Sequence, residues 1–226
     1  MSNMYNFVSK CWNPLAGKCI HECNYCFVTK MKRFPVMNKK YSGEPRLIES
    51  EFKKKFKPDD VVFVVDCADL FAKNVPSEMI KEILNRCSEN PATYYFQSKN
   101  PERMLDFVKF FPENSILCTT IETDQLRLMH YSGGQTFRER DLALSKLSTF
   151  GFTTEITIEP IMQIDDIDYF AYCLLDTDCS KINIGANSDR SLKLPEPTKE
   201  QVVKLIIELE KFTVVYQKDN LKRLLK

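Results

Sequence analysis

The sequence lacks the features that would direct a chain to a membrane, to secretion or to a polyanion. Its 32 basic and 31 acidic side chains leave a net charge of only +1, so no overall positive field indicates nucleic-acid binding. The longest run of purely aliphatic or aromatic residues, 61–65, is far too short to span a bilayer. The first ten residues contain no apolar stretch typical of a signal peptide. We therefore expect a cytoplasmic protein with no membrane association.

Internal repeats, low-complexity tracts and Gly/Ser-rich linkers are absent too, and short apolar runs alternate with helical patterns instead. Such alternation predicts a mostly parallel sheet with helices outside it, because parallel strands need crossover connections. We predict one α/β domain over residues 1–226, as an open sheet or a partial barrel. The predicted strands cover 61–66, 93–98, 115–122, 153–160, 181–187 and 213–217, and the predicted helices cover 76–87, 100–111, 137–150, 165–175 and 197–212, the last with a Thr198/Gln201 capping box.

Cysteine is more frequent than a cytoplasmic chain needs, with nine in 226 residues. The number is odd and no secretory leader is expected, so a disulfide framework is not predicted. Three cysteines, Cys19, Cys23 and Cys26, are clustered with the spacing C-x3-C-x2-C. Free cysteine is among the residue types most often buried, so the scattered ones are interpreted as small core residues: Cys11, Cys67, Cys87, Cys118, Cys173 and Cys179.

The three clustered cysteines predict a metal centre in a cluster loop, residues 11–28. A structural zinc site normally takes four ligands in two spaced pairs. No second C-x2-C follows. Cys11 or His21 could complete a ligand set, but His21 is too close to its cysteine neighbours for independent ligation. Thiolates also hold iron–sulfur clusters, which normally take four of them. Three thiolates would leave one iron open to a small molecule, so an iron–sulfur cluster is the preferred interpretation and zinc the alternative.

The motif C-x3-C-x2-C, with the aromatic Tyr25 before the last cysteine, resembles that of the radical S-adenosylmethionine superfamily. In that superfamily a [4Fe-4S] cluster binds S-adenosylmethionine through its open iron. An electron from a flavodoxin or ferredoxin-like donor then yields a 5′-deoxyadenosyl radical, which abstracts hydrogen from a substrate. The resemblance implies the same cofactors here. A non-catalytic iron–sulfur or zinc module is the alternative.

A narrower resemblance extends over most of the chain. The opening CWNPLAGKCIHECNYCF is similar to that of a phage- and prophage-associated radical S-adenosylmethionine family that begins with W-N-P. The blocks DCADLFAKNVP, YFQSKNPERM, ILCTTIET, ITIEPIM and INIGANS resemble later blocks of that family in the same order. More distantly, the chain is similar to spore photoproduct lyase. These resemblances imply a partial (β/α)6 TIM-like barrel.

The resemblance also indicates which residues bind the cofactor, because ligands of such folds lie at the carboxyl ends of the parallel strands. Tyr25 resembles the aromatic residue beside the adenine. Many relatives have a glycine-rich segment after the second strand, where this chain has VDCADLF. There, Asp66 or Asp69 could accept a hydrogen bond from the cofactor's ammonium group, although Asp69 could equally cap a turn.

Other strand ends supply further candidates. Lys99, next to Ser98, resembles a lysine that pairs with the cofactor carboxylate; a surface lysine is the alternative. Arg140 resembles an arginine that binds the same carboxylate, or is a solvated helix residue. Thr120 and Glu122 are two residues apart, on one side of a strand, and suit the ribose.

The last two strands carry polar residues that a core strand would not need. Glu155, Thr157 and Glu159 alternate and so share one face. Buried carboxylates need partners, so at least Glu159 is placed in the site. Gly185 allows close backbone approach to a flat adenine, and Asn187 can bind its edge.

The sequence indicates the substrate less clearly than it indicates the cofactors. Cys67, after the strand at 61–66, could donate a hydrogen atom, as a rim cysteine does in the lyase family, or simply pack. A nucleic acid or nucleotide is one substrate class, a peptide or small metabolite the other. The first is favoured by the need to close the barrel mouth against solvent and by basic residues after the cluster loop that could meet phosphates: Lys30, Lys32, Arg33, Lys39 and Lys40.

Overall fold

Seven strands form one sheet in the computed structural model, which describes residues 5–226. The described residues form nine strands in all, of which β2 and β3 lie outside this sheet. They are β1 (Lys10–Trp12), β2 (Leu15–Ala16), β3 (Arg46–Leu47), β4 (Val61–Val64), β5 (Thr93–Ser98), β6 (Ser115–Thr120), β7 (Thr153–Ile158), β8 (Lys181–Ile184) and β9 (Val214–Gln217). The helices are α1 (Phe27–Met31), α2 (Pro35–Lys40), α3 (Ser77–Ser88), α4 (Phe137–Thr149), α5 (Ile167–Leu175) and α6 (Lys199–Glu210). Short 3-10 helices cover Glu49–Lys53, Pro101–Phe107, Leu126–Tyr131 and Asp219–Arg223.

Every pairing in the large sheet is parallel, in the order β1-β4-β5-β6-β7-β8-β9. The strands β2 and β3 form a separate antiparallel pair. The large sheet is not closed, because β1 and β9 are its two edges. The predicted α/β fold, with a mostly parallel sheet in a partial TIM-like barrel, is confirmed.

The main hydrophobic core lies between the sheet and its helices. Apolar residues three and four apart on α3, such as Ile80, Ile83 and Leu84, are fully buried, as are Ile156 of β7 and Ile182 of β8. A capping box starts α6 at Thr198 and Gln201, as predicted, and another starts α4 at Thr136 and Glu139. Within residues 5–226, no helix combines the length and the hydropathy needed to cross a bilayer.

The other face of the sheet, here called the inner face, carries a smaller aromatic cluster. Phe63, Tyr95 and Cys118 pack there with Tyr5, whose ring is buried although it lies near the start of the chain. The Tyr5 hydroxyl donates a hydrogen bond to Gln97 Oε1 at 2.9 Å. The ammonium group of Lys218, after β9, lies 4.6 Å from the centre of the Tyr5 ring. The N-terminal segment thus fills the inner face between distant strands.

The predicted strands and helices are found within a few residues of their predicted bounds, with one change of type. The segment predicted as a helix over 100–111 forms a 3-10 helix over Pro101–Phe107. Its start is fixed by tertiary contacts, since Asn100 donates to the Phe71 carbonyl at 2.9 Å and Arg103 donates to Val75 O at 2.6 Å. The short elements β1, β2, β3, α1 and α2 were not predicted, because two to six residues are too few to show a periodic pattern.

Candidate functional site

The cysteine segment, residues 19–26, is irregular and lies between β2 and α1, with Cys26 at the N-terminal cap of the helix. Cys23 is buried and the other two cysteines are partly exposed. Burial, the charge of Asp69 and the charges of the other two cysteines raise the pKa of the Cys19 thiol to about 12. The protonated thiol is thus favoured at Cys19, and a cluster, which takes thiolates, would displace that proton on binding.

The sulfurs do not yet form a coordination shell. Among residues 5–226, no three Cys, His, Asp or Glu side chains are placed as a ready set of metal ligands. The Cys23 thiol instead donates to the carbonyl of Ser132 at 2.8 Å. The prediction that Cys19, Cys23 and Cys26 bind metal stays a prediction.

Beside the cysteine segment lies a buried polar group, here called the Glu122 network: Tyr25, Lys99, Glu122, Ser132 and Arg140. Glu122 Oε1 contacts the Lys99 ammonium and the Tyr25 hydroxyl and accepts from Ser132 Oγ at 2.7 Å. Glu122 Oε2 accepts from Arg140 Nη1 at 2.8 Å. Lys99 Nζ also reaches Ser132 Oγ at 2.8 Å. The network thus brings together four of the predicted cofactor-binding residues: Tyr25 of the cysteine motif, Lys99 and Glu122 after β5 and β6, and Arg140 of α4.

Two cations surround one carboxylate in this network. Burial alone would raise the pKa of the Glu122 carboxyl, but the charges of Lys99 and Arg140 hold that pKa well below its usual range. Burial and the neighbouring Glu122 charge raise the pKa of the Tyr25 hydroxyl. Burial also raises the pKa of Cys23, an effect that Lys99 partly offsets. With two cationic side chains and one carboxylate, the network holds a net positive charge, and it lies beside the cysteine segment.

Arg140 is the buried cation that pairs with Glu122. Its side chain is 1% exposed, which excludes the alternative of a solvated helix arginine. Its Nε donates to Gln135 O at 2.7 Å and its Nη2 donates to Ser132 Oγ at 3.1 Å, in addition to the Nη1 bond to Glu122. All three guanidinium nitrogens are therefore engaged within the chain. Lys99 is the more accessible cation, since 13% of its side chain is exposed.

Ser132 is a member of this network that sequence reasoning missed. It follows the 3-10 helix Leu126–Tyr131 and precedes two glycines. A Cβ on Gly134 would lie 2.6 Å from Arg140 Nη2 and 2.9 Å from Lys99 Cβ, so only glycine lets the backbone approach these cations closely. The Ser-Gly-Gly sequence was the available signal, because paired glycines often mark such an approach.

Asp69 is a hub of hydrogen bonds within the chain. Its carboxylate oxygens contact His21 Nε2 at 2.8 Å, Ser98 Oγ at 2.7 Å, the Lys99 amide at 2.8 Å and the Phe71 amide at 2.9 Å. Burial alone would raise the pKa of Asp69, but His21, Ser98 and the Lys99 amide together lower it. These four donors occupy the carboxylate that we expected to face the cofactor's ammonium group. The hydrogen bond from the Phe71 amide to Asp69 is the kind expected from the alternative interpretation, in which Asp69 caps a turn.

The neighbouring candidates Asp66 and Cys67 also make contacts within the chain. Asp66 Oδ1 accepts from Asn13 Nδ2 at 2.6 Å, and the Cys67 amide donates back to Asn13 Oδ1 at 3.3 Å. The asparagine of the W-N-P opening thus joins the ends of β1 and β4. The Cys67 side chain packs with Val28 and Tyr41, and burial followed by the charge of Asp66 raises the pKa of its thiol to about 12. This packing fits the structural interpretation of Cys67.

The comparisons with known proteins identify the family. A sequence profile described as "Protein of unknown function (DUF5131)" matches residues 2–132, more than half of the chain. The chain belongs to the DUF5131 family. A search of curated proteins gives no match. The narrower resemblance to the phage-associated W-N-P type stays a prediction.

Solved structures show how widely this DUF5131 fold is shared. Spore photoproduct lyase complexed with dinucleoside spore photoproduct has a TM-score of 0.64 at 14% identity, over 91% of this chain and 76% of the lyase. A lyase mutant with bound AdoMet and the same dinucleoside has a TM-score of 0.62 at 14% identity, over 90% and 74% of the two chains. Streptococcus suis SuiB bound to S-adenosylmethionine has a TM-score of 0.56 at 9% identity, over 92% of this chain and 50% of SuiB. At these identities the likeness shows a common fold.

The remaining candidates of the DUF5131 chain contact other partners. Thr120 Oγ1 accepts from Gln97 Nε2 at 2.8 Å on the inner face, whereas Glu122 faces Lys99. The two side chains diverge because β6 ends at Thr120, and the alternation of a strand no longer applies beyond that residue. Ser98 contacts Asp69 rather than the Glu122 network.

Glu159 and Asn187 lie on the β7 and β8 side of the DUF5131 sheet and bind the C-terminal region. Glu159 pairs with Lys218 and accepts from Asn220 Nδ2 at 2.7 Å. A Cβ on Gly185 would lie 2.8 Å from Glu159 Cδ. The missing side chain of Gly185 therefore makes room for the Glu159 carboxylate, where we had expected an adenine. The Asn187 amide donates to the carbonyls of Asp189 and Leu192 at 2.8 Å each, and thereby holds its own loop.

Proposed function

We propose that this chain is a radical S-adenosylmethionine enzyme. The observation that carries the proposal is the position of the Glu122 network, which lies at the carboxyl ends of parallel strands and against a segment with three spaced cysteines. The fold is shared with two proteins whose structures hold S-adenosylmethionine. Fold alone does not assign function, so the cysteine spacing and the buried charges support the proposal jointly.

In this proposal Cys19, Cys23 and Cys26 hold a [4Fe-4S] cluster through their sulfurs. When bound, the cluster and S-adenosylmethionine supply one electron and a 5′-deoxyadenosyl radical for hydrogen abstraction, with a flavodoxin or ferredoxin-like protein as the electron donor. The chain's own residues bind and orient. Lys99 presents its ammonium to the cofactor carboxylate, while Arg140 stays on Glu122 and keeps that carboxylate ionised. Tyr25 belongs to the cysteine motif and its hydroxyl contacts Glu122, so it links the motif to the rest of the network.

The direct test is anaerobic incubation of the iron-reconstituted protein with S-adenosylmethionine and a reductant. We expect 5′-deoxyadenosine to form, detected by chromatography, together with methionine. Iron content is measured on the same sample. Stoichiometric zinc in protein made with iron supplied, and no nucleoside product, would refute the proposal and favour the non-catalytic metal module.

Replacing Lys99 with alanine is expected to weaken S-adenosylmethionine binding about tenfold or more while leaving the iron content unchanged. Hydrogen bonds to charged groups contribute roughly 1.5–3 kcal/mol, and Lys99 is the accessible cation of the site. The dissociation constant is measured by equilibrium dialysis of the reconstituted protein. Lys109→Ala, at an exposed lysine, is the matched control. An unchanged dissociation constant in Lys99→Ala would contradict the assigned role.

We further propose a nucleic acid as the substrate. The surface formed by α1 and α2 exposes Phe27, Phe34 and Val36, next to the basic side chains of Arg33 and Lys39. Cations interleaved with aromatic rings suit phosphates and unpaired bases. The similar lyase is complexed with a dinucleoside spore photoproduct, which adds support for a substrate of this class. A substrate large enough to cover the strand ends would also exclude water from a radical reaction.

Reversing two charges on this surface, Lys32→Glu with Arg33→Glu, is expected to weaken nucleic-acid binding and to lower the magnitude of its salt slope by about two. Binding to single-stranded DNA, duplex DNA and tRNA is measured by fluorescence anisotropy at several salt concentrations. The control reverses two exposed lysines elsewhere, Lys53→Glu with Lys55→Glu. Equal loss in both double variants would indicate only a net-charge effect. No binding of any nucleic acid at low salt would favour a peptide or metabolite instead.

A further inference from the structure

We infer that His21 is a positioning residue that fixes the cysteine segment, and that it is not itself a metal ligand. The inference rests on the proposed function only where it treats that segment as the cluster site. His21 stands between Cys19 and Cys23 in the chain, and its side chain is buried. Nothing in the predicted cofactor chemistry uses it.

Both ring nitrogens of His21 are engaged by oxygen atoms from two distant parts of the chain. Nε2 lies 2.8 Å from Asp69 Oδ2, and Nδ1 lies 3.1 Å from the carbonyl oxygen of Gly133. A histidine binds a metal through a free ring nitrogen, and its other nitrogen is usually hydrogen-bonded. With both nitrogens occupied, the ring links two structural segments, which agrees with a site that relies on three sulfurs.

The first of these anchors, Asp69, is itself held by several hydrogen bonds. Asp69 follows β4 and is held by Ser98 Oγ at 2.7 Å and the Lys99 amide at 2.8 Å, both from the carboxyl end of β5. Lys99 is also the residue whose ammonium reaches Glu122. Through Asp69, His21 therefore fixes the cysteine segment relative to the Glu122 network, which is the geometry that a cofactor bridging the two would require.

The second anchor is a close backbone contact. Gly133 has a φ of +63°, and a Cβ there would lie 1.6 Å from the carbonyl oxygen of His21. Neighbouring residues of the two segments are also hydrogen-bonded. The Asn24 amide donates to Tyr131 O at 3.0 Å, and the Cys23 thiol donates to Ser132 O at 2.8 Å. The cysteine segment thus packs along residues 131–133, and the His21 ring bridges this contact to Asp69.

The test measures how fast each cysteine is alkylated in the metal-free, full-length protein, with iodoacetamide as the probe and peptide mass spectrometry as the readout. In His21→Asn we expect alkylation of Cys23 to accelerate about tenfold or more, since the loss of a hydrogen bond to a charged group changes an opening equilibrium by that factor. Cys87 and Cys118 lie in the core and should react as in the native protein. His130→Asn is the control, because His130 is the other histidine of the chain and is exposed.

Faster alkylation of Cys23 alone would indicate lost positioning of the cysteine segment, whereas faster alkylation of every cysteine would indicate a general loss of stability. If all cysteines react faster together in His21→Asn, or if Cys23 reacts at the native rate, the inference is overturned. Should His21→Asn fail to fold, Gly133→Ala opens the same contact from the opposite segment and is expected to give the same pattern. In reconstituted protein the His21 variant should also shift the midpoint potential of the cluster. If even the native protein takes up no iron, the proposed function fails, while the alkylation pattern still decides the role of His21.

Discussion

Alanine in place of Cys26 is expected to abolish iron binding and 5′-deoxyadenosine formation. Cys26 ends the cysteine segment and is the N-terminal cap residue of α1, so its backbone position is set by the start of that helix. A cluster held by only two protein thiolates has lost a ligand from a set that is already one short of the usual four. Iron and sulfide per chain, with the visible absorption of the brown protein, measure the effect after anaerobic reconstitution.

The matched control is Cys87→Ala. Cys87 is fully buried in α3 and belongs to the helix-side core, so its loss removes packing without touching the cysteine segment. We expect Cys87→Ala to keep its iron and Cys19→Ala and Cys23→Ala to lose theirs. Retention of a full cluster in Cys26→Ala, with the same absorption spectrum as the native protein, would show that the motif does not ligate iron.

Replacing Glu122 with glutamine is expected to lower the free energy of unfolding by about 3 kcal/mol, because removing one partner of a buried ion pair leaves uncompensated charge. Glu122 is 1% exposed and contacts both Lys99 and Arg140, so two cations lose their counter-charge. Chemical denaturation of the metal-free protein measures the change. Asp219→Asn removes an exposed ion pair with Lys222 and should leave the unfolding free energy unchanged.

A double-mutant cycle tests whether this cost comes from stranded charge. Lys99→Met combined with Glu122→Gln should cost less than the sum of the two single changes, since the pair is then removed together. Strict additivity would show that Lys99 and Glu122 contribute independently, against the geometry of the network.

The difference in unfolding free energy between the native protein and Glu122→Gln should depend on pH, because the Glu122 carboxylate titrates. The pKa of Glu122 is lowered on folding, so its contribution to stability is complete above the unfolded pKa of roughly 4.3. It is lost as the pH falls from there toward the lower folded pKa. The stability gap between the two proteins should therefore be constant near neutral pH and narrow in acid. A gap that widens in acid would contradict an ionised Glu122.

Much of the fold could be predicted from the sequence because each strand is a compact apolar run. The strand predicted at 93–98 matches β5 (Thr93–Ser98), and Lys99, which follows it, contacts Glu122. The role of Lys99 in cofactor binding stays a prediction. The convergence of Lys99 and Glu122 follows from a general property of parallel sheets, whose carboxyl ends share one edge. Tyr25 joined them through its place in the cysteine motif.

The rest depended on contacts that no local pattern encodes. Asp69 is a hub because donors from residues 21, 71, 98 and 99 meet at one point, and only the tertiary structure brings them there. Ser132 enters the site from a 3-10 turn whose course is set by Gly133 and Gly134. Glu159 follows β7 directly and Asn187 lies three residues after β8, but their side chains bind other parts of the chain.

The order of the strands also bears on how the protein is made. From β4 onward, each strand pairs with the one that precedes it in the large sheet, and β1 pairs with β4. A chain leaving the ribosome N-terminus first can therefore extend the sheet from one edge, adding each newly synthesised strand to the last. Tyr5 is synthesised before all of these strands, but its cationic partner Lys218 follows the last of them, β9. The contact between Tyr5 and Lys218 on the inner face can thus form only after β9 has been synthesised.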